Sequence, residues 1–196
     1  ATLPGNGTLN QTGGDLTIVD RLIVGADGTS GSYNATDGSL TVGQTVTGRA
    51  NLHIARRTIN TANNTVGTLD LSGSTSFNTY LDRLVVAQQT ANSNSGAGAV
   101  TGTLTLAQSN SIDANAIYVG YIDSGNISTT NGTINLGASN TIVADAFYIG
   151  ADKSSGTVTL PSGGALNLGA SGRRTDLYVG TKINPTSANS SGTLNL

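Results

Sequence analysis

The chain has 196 residues, only 36% of them hydrophobic and 10% charged, with 27 glycines, no cysteine, methionine or tryptophan, and a formal net charge of −2. That charge supplies no basic field for nucleic acid or an anionic membrane surface. The lack of cysteine excludes disulfides and thiolate metal sites, and no apolar run approaches the roughly 20 residues that insert across a bilayer.

Two short patterns alternate from one end to the other. The first, Gly-x-apolar-x-apolar, opens at Gly14 (with Leu16 and Ile18), Gly38, Gly67, Gly102, Gly132, Gly164 and Gly192 (with Leu194 and Leu196). The second, apolar-x-apolar-Gly/Ala, closes at Gly25, Ala55, Ala87, Gly120, Gly150 and Gly180, at intervals of 30, 32, 33, 30 and 30 residues. Both alternate with period two, so each reads as a strand with one apolar face. About a dozen residues rich in Ser, Thr, Asn and Gly separate a closing position from the next opening one, and some carry a weak third strand, as at 157–160 and 126–128. Segment 132–150 (GTINLGASNTIVADAFYIG) is a copy of 102–120 (GTLTLAQSNSIDANAIYVG).

Repetition at this period means units that cannot bury their apolar faces alone and so must stack. Few charges and many Thr, Ser, Asn and Gly disfavour helices. The sequence therefore predicts an all-β fold: a parallel β-solenoid (β-helix) of about six to seven rungs, roughly 30 residues each, forming a single domain over residues 1–196. An antiparallel sandwich or barrel offers no reason for a 30-residue register. The Gly-Thr-Leu-x-Leu runs followed by Ser-Asn-Thr-Ile and Phe-Tyr-Ile-Gly resemble bacterial exported β-solenoid repeat proteins, of the autotransporter-associated β-strand repeat and large surface adhesin type. This resemblance covers nearly the whole chain. It implies an extracellular or cell-surface structural or adhesive role, and it supplies no catalytic residue.

With Leu, Ile and Val inward, the first motif presents two outward columns, Asp15, Ser39, Thr68, Thr103 onward and Thr17, Thr41, Asp70, Thr105 onward. Short polar residues in register form stabilising hydrogen-bond ladders; an ice-binding or crystalline-glycan face is the alternative. The second motif aligns Ile23, His53, Val85, Tyr118, Tyr148 and Tyr178. Its three tyrosines, spaced 30 apart, form a candidate contact ladder for a neighbouring chain or for sugar rings, or else a ladder that only stabilises its own sheet.

Asp20-Arg21, Asp82-Arg83 and Arg56-Arg57 are the only candidates for a polysaccharide-degrading cleft, and they read as surface ion pairs. His53 is the sole histidine. The expectation is no enzyme, no metal and no cofactor. The clearest functional signal lies at the ends, where strand-like sequence runs without a polar cap. Thr8, Leu9, Leu16 and Ile18 at one end, and Gly192, Thr193, Leu194, Asn195 and Leu196 at the other, form a candidate axial interface. The expected partner is the chain itself, in a head-to-tail filament or surface fibre. A glycan-binding adhesin passenger segment, holding a cell-surface polysaccharide, is the alternative.

Overall fold

The structure, a computed structural model, describes residues 5–90, 97–123, 129–184 and 189–196; the weak strand expected at 126–128 lies outside them. Fourteen strands follow one another, with no helix among the described residues: β1 (Asn6–Ile18), β2 (Arg21–Ala26), β3 (Ser30–Val42), β4 (Ala50–Arg57), β5 (Thr65–Asp70), β6 (Ser76–Gln89), β7 (Val100–Thr105), β8 (Ser109–Ile122), β9 (Thr130–Asn135), β10 (Ser139–Ala151), β11 (Ser155–Thr159), β12 (Ala165–Leu168), β13 (Asp176–Thr181) and β14 (Ser191–Asn195). Buried and less buried residues alternate strictly along β5, β7 and β9, as the period-two sequence pattern requires.

Every pairing between these strands is parallel, and the pairings fall into three columns. The first runs through the N-terminal parts of β1 and β3, then β5, β7, β9, β11 and β14. The second runs through the C-terminal parts of β1 and β3, the N-terminal parts of β6, β8 and β10, and β12. The third joins β2, β4, the C-terminal parts of β6, β8 and β10, and β13. The chain visits the columns in turn and returns to the first, giving a β-solenoid-like fold. Between the columns lies one continuous apolar core, with Leu69, Leu104, Ile134 and Val158 from the first, Leu40 and Phe77 from the second, and Leu84, Ile117, Phe147 and Ile149 from the third.

Two amides interrupt this core. Asn110 and Asn140 sit in register in the second column, 4% and 0% exposed. Asn110 Nδ2 donates to Asn140 Oδ1 at 2.9 Å and to the Ala107 carbonyl at 2.8 Å, while Asn140 Nδ2 donates to the Gly137 and Ala165 carbonyls at 2.8 and 2.9 Å. Burying an amide is costly unless it is bonded, and these bonds close the tight turns that lead into β8 and β10.

The register corrects one reading of the sequence, because the opening motif is two motifs. Gly67, Gly102, Gly132 and Gly192 belong to the first column with Gly31 and Gly156, whereas Gly14, Gly38 and Gly164 precede second-column strands. Close approach of backbone fixes the first group and also Gly38, where a Cβ would lie 1.9 Å from the Gly14 carbonyl oxygen, whereas a Cβ on Gly14 would meet nothing within 4 Å. A Cβ on Gly132 would lie 2.3 Å from the Gly120 nitrogen and 2.4 Å from the Val86 carbonyl oxygen, and one on Gly156 would lie 2.1 Å from the Val119 carbonyl oxygen. The closing positions of the second motif form a column of their own in left-handed conformation, from φ 59° at Ala55 to φ 76° at Gly25. Each bends its third-column strand toward the first column.

The outward ladders are sorted accordingly. Thr68, Thr103 and Thr133 align with Thr8, Ser32, Thr157 and Thr193, while Asp15 and Ser39 align with Ser76, Ser109 and Ser139 in the second column. Direct bonds run along the first column: Ser32 Oγ donates to Thr8 Oγ1 at 3.0 Å and Asn34 Nδ2 to Asn10 Oδ1 at 3.1 Å.

Candidate functional site

The outer face of the third column carries the side chains with most chemistry. Across the strands it reads Arg21, Asn51, Arg83, Ala116, Ala146 and Asp176 in one row, and Ile23, His53, Val85, Tyr118, Tyr148 and Tyr178 in the next. Because the residue between is left-handed, a further row, Ala26, Arg56, Gln88, Tyr121, Ala151 and Thr181, follows at once. The face is basic toward β2 and aromatic toward β13.

The three expected tyrosines do stack. Tyr118 and Tyr148 have ring centroids 5.0 Å apart at 13°, and Tyr148 and Tyr178 are 4.9 Å apart at 14°. Tyr121, absent from the sequence reading, stacks on Tyr118 at 4.5 Å and 25° and donates its hydroxyl to Asp123 at 3.1 Å. Exposure differs from a fully open ladder: Tyr118 and Tyr121 are each 8% exposed and only Tyr178, at 39%, is open. Burial raises the Tyr148 and Tyr121 hydroxyl pKa values, helped at Tyr121 by the Asp123 carboxylate. Stacking consumes ring faces. Tyr148 is covered on both sides, so sugar stacking along the ladder is disfavoured and its stabilising role, about 1 kcal/mol per ring pair, comes first.

The basic half holds His53, 7% exposed, with its Nδ1 unpartnered. Burial and the nearby Arg56 guanidinium lower its pKa to about 4, with Arg21 and Arg83 adding to the effect. Arg83 also lies over the Tyr118 ring, 5.6 Å from its centroid. Arg21 and Arg83 thus face the same way on either side of Asn51, whereas Asp82 Oδ1 accepts a bond from Asn115 Nδ2 at 2.9 Å. The expected ion pairs at these dipeptides are not made: the ion pairs among the described residues use neither Arg21, Arg56 nor Arg83. Arg57, next to Arg56, is fully buried instead. Its Nη2 donates to the carbonyls of Gly98, Ala99 and Asn63 at 2.5, 3.2 and 3.2 Å, tying two connecting segments together.

A separate cluster ties down the connections between the second and third columns. Arg49 Nη2 and Arg173 Nη1 both donate to Asp113 Oδ1, at 2.8 and 2.5 Å, and Arg173 also reaches Asp145 at 3.0 Å. Arg49 Nη1 bonds the Leu81 carbonyl at 2.9 Å and Arg173 Nη2 the Ala114 carbonyl at 2.8 Å. Residues 49 and 173 come from connections far apart in sequence, so periodicity gives no signal for this meeting. Among the described residues no group of three or more His and Asp side chains is arranged to hold a metal ion.

The candidate axial residues lie on β1 and β14, with Leu196 just beyond it, and each of these strands pairs on one side only, with β3 and β11. The same is true of β2, β12 and β13. Leu9 on β1 is 48% exposed, Leu177 and Val179 on β13 are 37% and 45% exposed, and Leu196 beyond β14 is 81% exposed. Leu16 and Ile18 pack half-buried against the core. An open concavity of about 660 Å³ lies at the first end, lined by Leu9, Leu22, Val24 and Tyr33 among others. No protein-family model, curated protein or solved structure matches the chain.

Proposed function

We propose that the protein is a structural element of the cell surface or extracellular space: a β-solenoid of six to seven rungs, about 30 residues each, that stacks head to tail with further copies of itself into a filament or fibre. The observation that carries this reading is that the end strands of all three columns pair on one side only, with apolar side chains open beside them. An unpaired parallel edge is a template for another strand. A head-to-tail contact does not close, so it propagates.

Self-stacking is favoured by the match between the two ends. Asn6-Gly7-Thr8-Leu9-Asn10 and Ser191-Gly192-Thr193-Leu194-Asn195 occupy the same column, so the Thr and Asn ladders would run on across a junction. Axial backbone hydrogen bonds would then carry tension as they do in cross-β stacks. The role is mechanical and calls for no catalytic group or cofactor. Negative-stain electron microscopy of the purified 196-residue chain over a range of concentrations tests it. Uniform threads with a subunit repeat of about 30 Å, from six to seven rungs at roughly 4.8 Å, are expected. Separate short particles at every concentration would overturn self-assembly.

A further inference from the structure

The outer face of the first column differs from that of the third in carrying almost no charge and no aromatic ring. Its seven parallel strands present three outward rows, which begin at Asn6, Thr8 and Asn10 and end at Ser191, Thr193 and Asn195. The middle row holds six threonines and one serine, Ser32; the rows beside it hold Ser, Thr and Asn, with Val66 and Asp70 as the exceptions. The register that moves Asp15 and Ser39 to the second column is what makes the middle row uniform. No position in the three rows is buried.

A ladder that served only its own sheet would bond its side chains to one another. Here such bonds lie at the first end and in the row beside the threonines: Ser32 to Thr8, Asn34 to Asn10, and Asn135 Nδ2 to Thr105 Oγ1 and Asn195 Nδ2 to Thr159 Oγ1, the last two at 3.4 Å. Among the described residues no group bonds to the hydroxyls of Thr68, Thr103, Thr133, Thr157 or Thr193. Successive rungs of the middle row therefore turn a free hydroxyl and a methyl to the solvent.

What the face lacks narrows its ligand. It has no cation to meet an anion and no ring on which a sugar could stack. What it has is a lattice. Adjacent strands lie about 4.8 Å apart, so the middle row repeats its hydroxyl and methyl at that interval over roughly 30 Å, close to the oxygen repeat along a prism face of hexagonal ice. Branching at Cβ restricts χ1, which keeps both groups of each threonine in fixed places. Methyl groups restrict the orientation of first-shell water, and a hydroxyl within that shell bonds the ordered water to the protein. A charge would impose a hydration pattern of its own, and only Asp70 interrupts the rows.

We propose that the outer face of the first column binds ice, the row from Thr68 to Thr193 meeting successive oxygen positions of a prism face through ordered water. The face runs along the flank of the solenoid, so end-to-end stacking neither creates nor hides it.

The test is the ice affinity of the folded 196-residue chain. A single ice crystal is grown slowly through a dilute solution and the protein in ice and liquid is assayed, while nanolitre osmometry compares the freezing and melting points of microscopic crystals. The expected result is enrichment in the ice, a freezing point held below the melting point, and faceted crystals. Thr103→Lys with Thr133→Lys, which sets two mobile charges in the middle of the row, should abolish all three. Ser111→Lys with Thr141→Lys makes the same change of charge at exposed positions of the second column in the same two rungs and should lose nothing. Far-ultraviolet circular dichroism checks that each variant is folded. Exclusion of the parent chain from ice, with coincident freezing and melting points, overturns the site. So does retained ice affinity in the Thr103/Thr133 pair, and so does equal loss in the Ser111/Thr141 pair. Capture by microcrystalline cellulose without enrichment in ice would assign the face to a glycan and overturn the proposal as well.

Discussion

At the scale of single residues, the tightest constraints are steric. Gly132→Ala would drive a methyl into the Gly120 nitrogen and the Val86 carbonyl oxygen, both backbone atoms with no free rotor to turn aside. A loss of about 3 kcal/mol is expected, read as a shift in denaturant midpoint at constant slope; an Ala at exposed Gly7, where a Cβ meets nothing within 4 Å, should cost far less. His53 is constrained electrically. Its folded value of about 4 lies below the ordinary 6.5 because burial and Arg56, Arg21 and Arg83 disfavour the imidazolium. The unfolded chain therefore takes up the proton first as pH falls, and stability is lost between about pH 6.5 and pH 4, on the order of 3 kcal/mol in all. Chemical denaturation at pH 7 and pH 4.5 should show this loss in the parent chain and most of it gone in His53→Val, which installs the side chain that Val85 already places in the same row.

At the scale of elements, the strands are held as much by their connections as by their ladders. Asp113→Asn should weaken the grip of Arg49 and Arg173 together, since one carboxylate oxygen accepts from both. With all three side chains partly exposed, a loss of about 1 to 2 kcal/mol is expected, accompanied by faster proteolysis of the 43–49 and 169–175 connections. Tyr148→Phe should be nearly silent, because its contribution lies in its two ring contacts, while Tyr148→Ala removes both and should cost about 2 kcal/mol or more. Strand identity and parallel order were legible in the sequence because period-two alternation and a 30-residue repeat are local or near-local signals. The left-handed column was legible as the closing Gly/Ala positions. The division of the glycine motif between two columns was not, since Gly-x-Leu-x-Leu reads alike in both and only the strand pairings separate them. Nor was the Asn110–Asn140 ladder, whose polar side chains break the apolar pattern from within. Of the functional face, the tyrosine row was readable from its spacing, whereas Tyr121 and Gln88 share that face only because a left-handed residue precedes each of them.

At the scale of the whole molecule, the columns do not finish level among the described residues. The first contains β1, β3, β5, β7, β9, β11 and β14, one strand more than either of the others. The open edge of β14, with the same Gly-Thr-Leu-Asn run as β1, is therefore the furthest-reaching part of the proposed axial template. Removing residues 189–196 should lengthen the lag before threads form, measured by light scattering with microscopy at the end point; faster assembly would mean that β14 obstructs the junction. Register survives large differences in chain length at one corner. The connection from third to first column varies from the three residues 27–29 to the ten residues 90–99, yet Gly31, Gly67, Gly102, Gly132, Gly156 and Gly192 stay aligned. That corner behaves as a socket. A foreign peptide spliced between residues 90 and 97 should be displayed with the register kept, since Gly98 and Ala99 stay held by Arg57, Thr61 and Asn64, while a single residue added within β7 would turn every later side chain of that strand inside out.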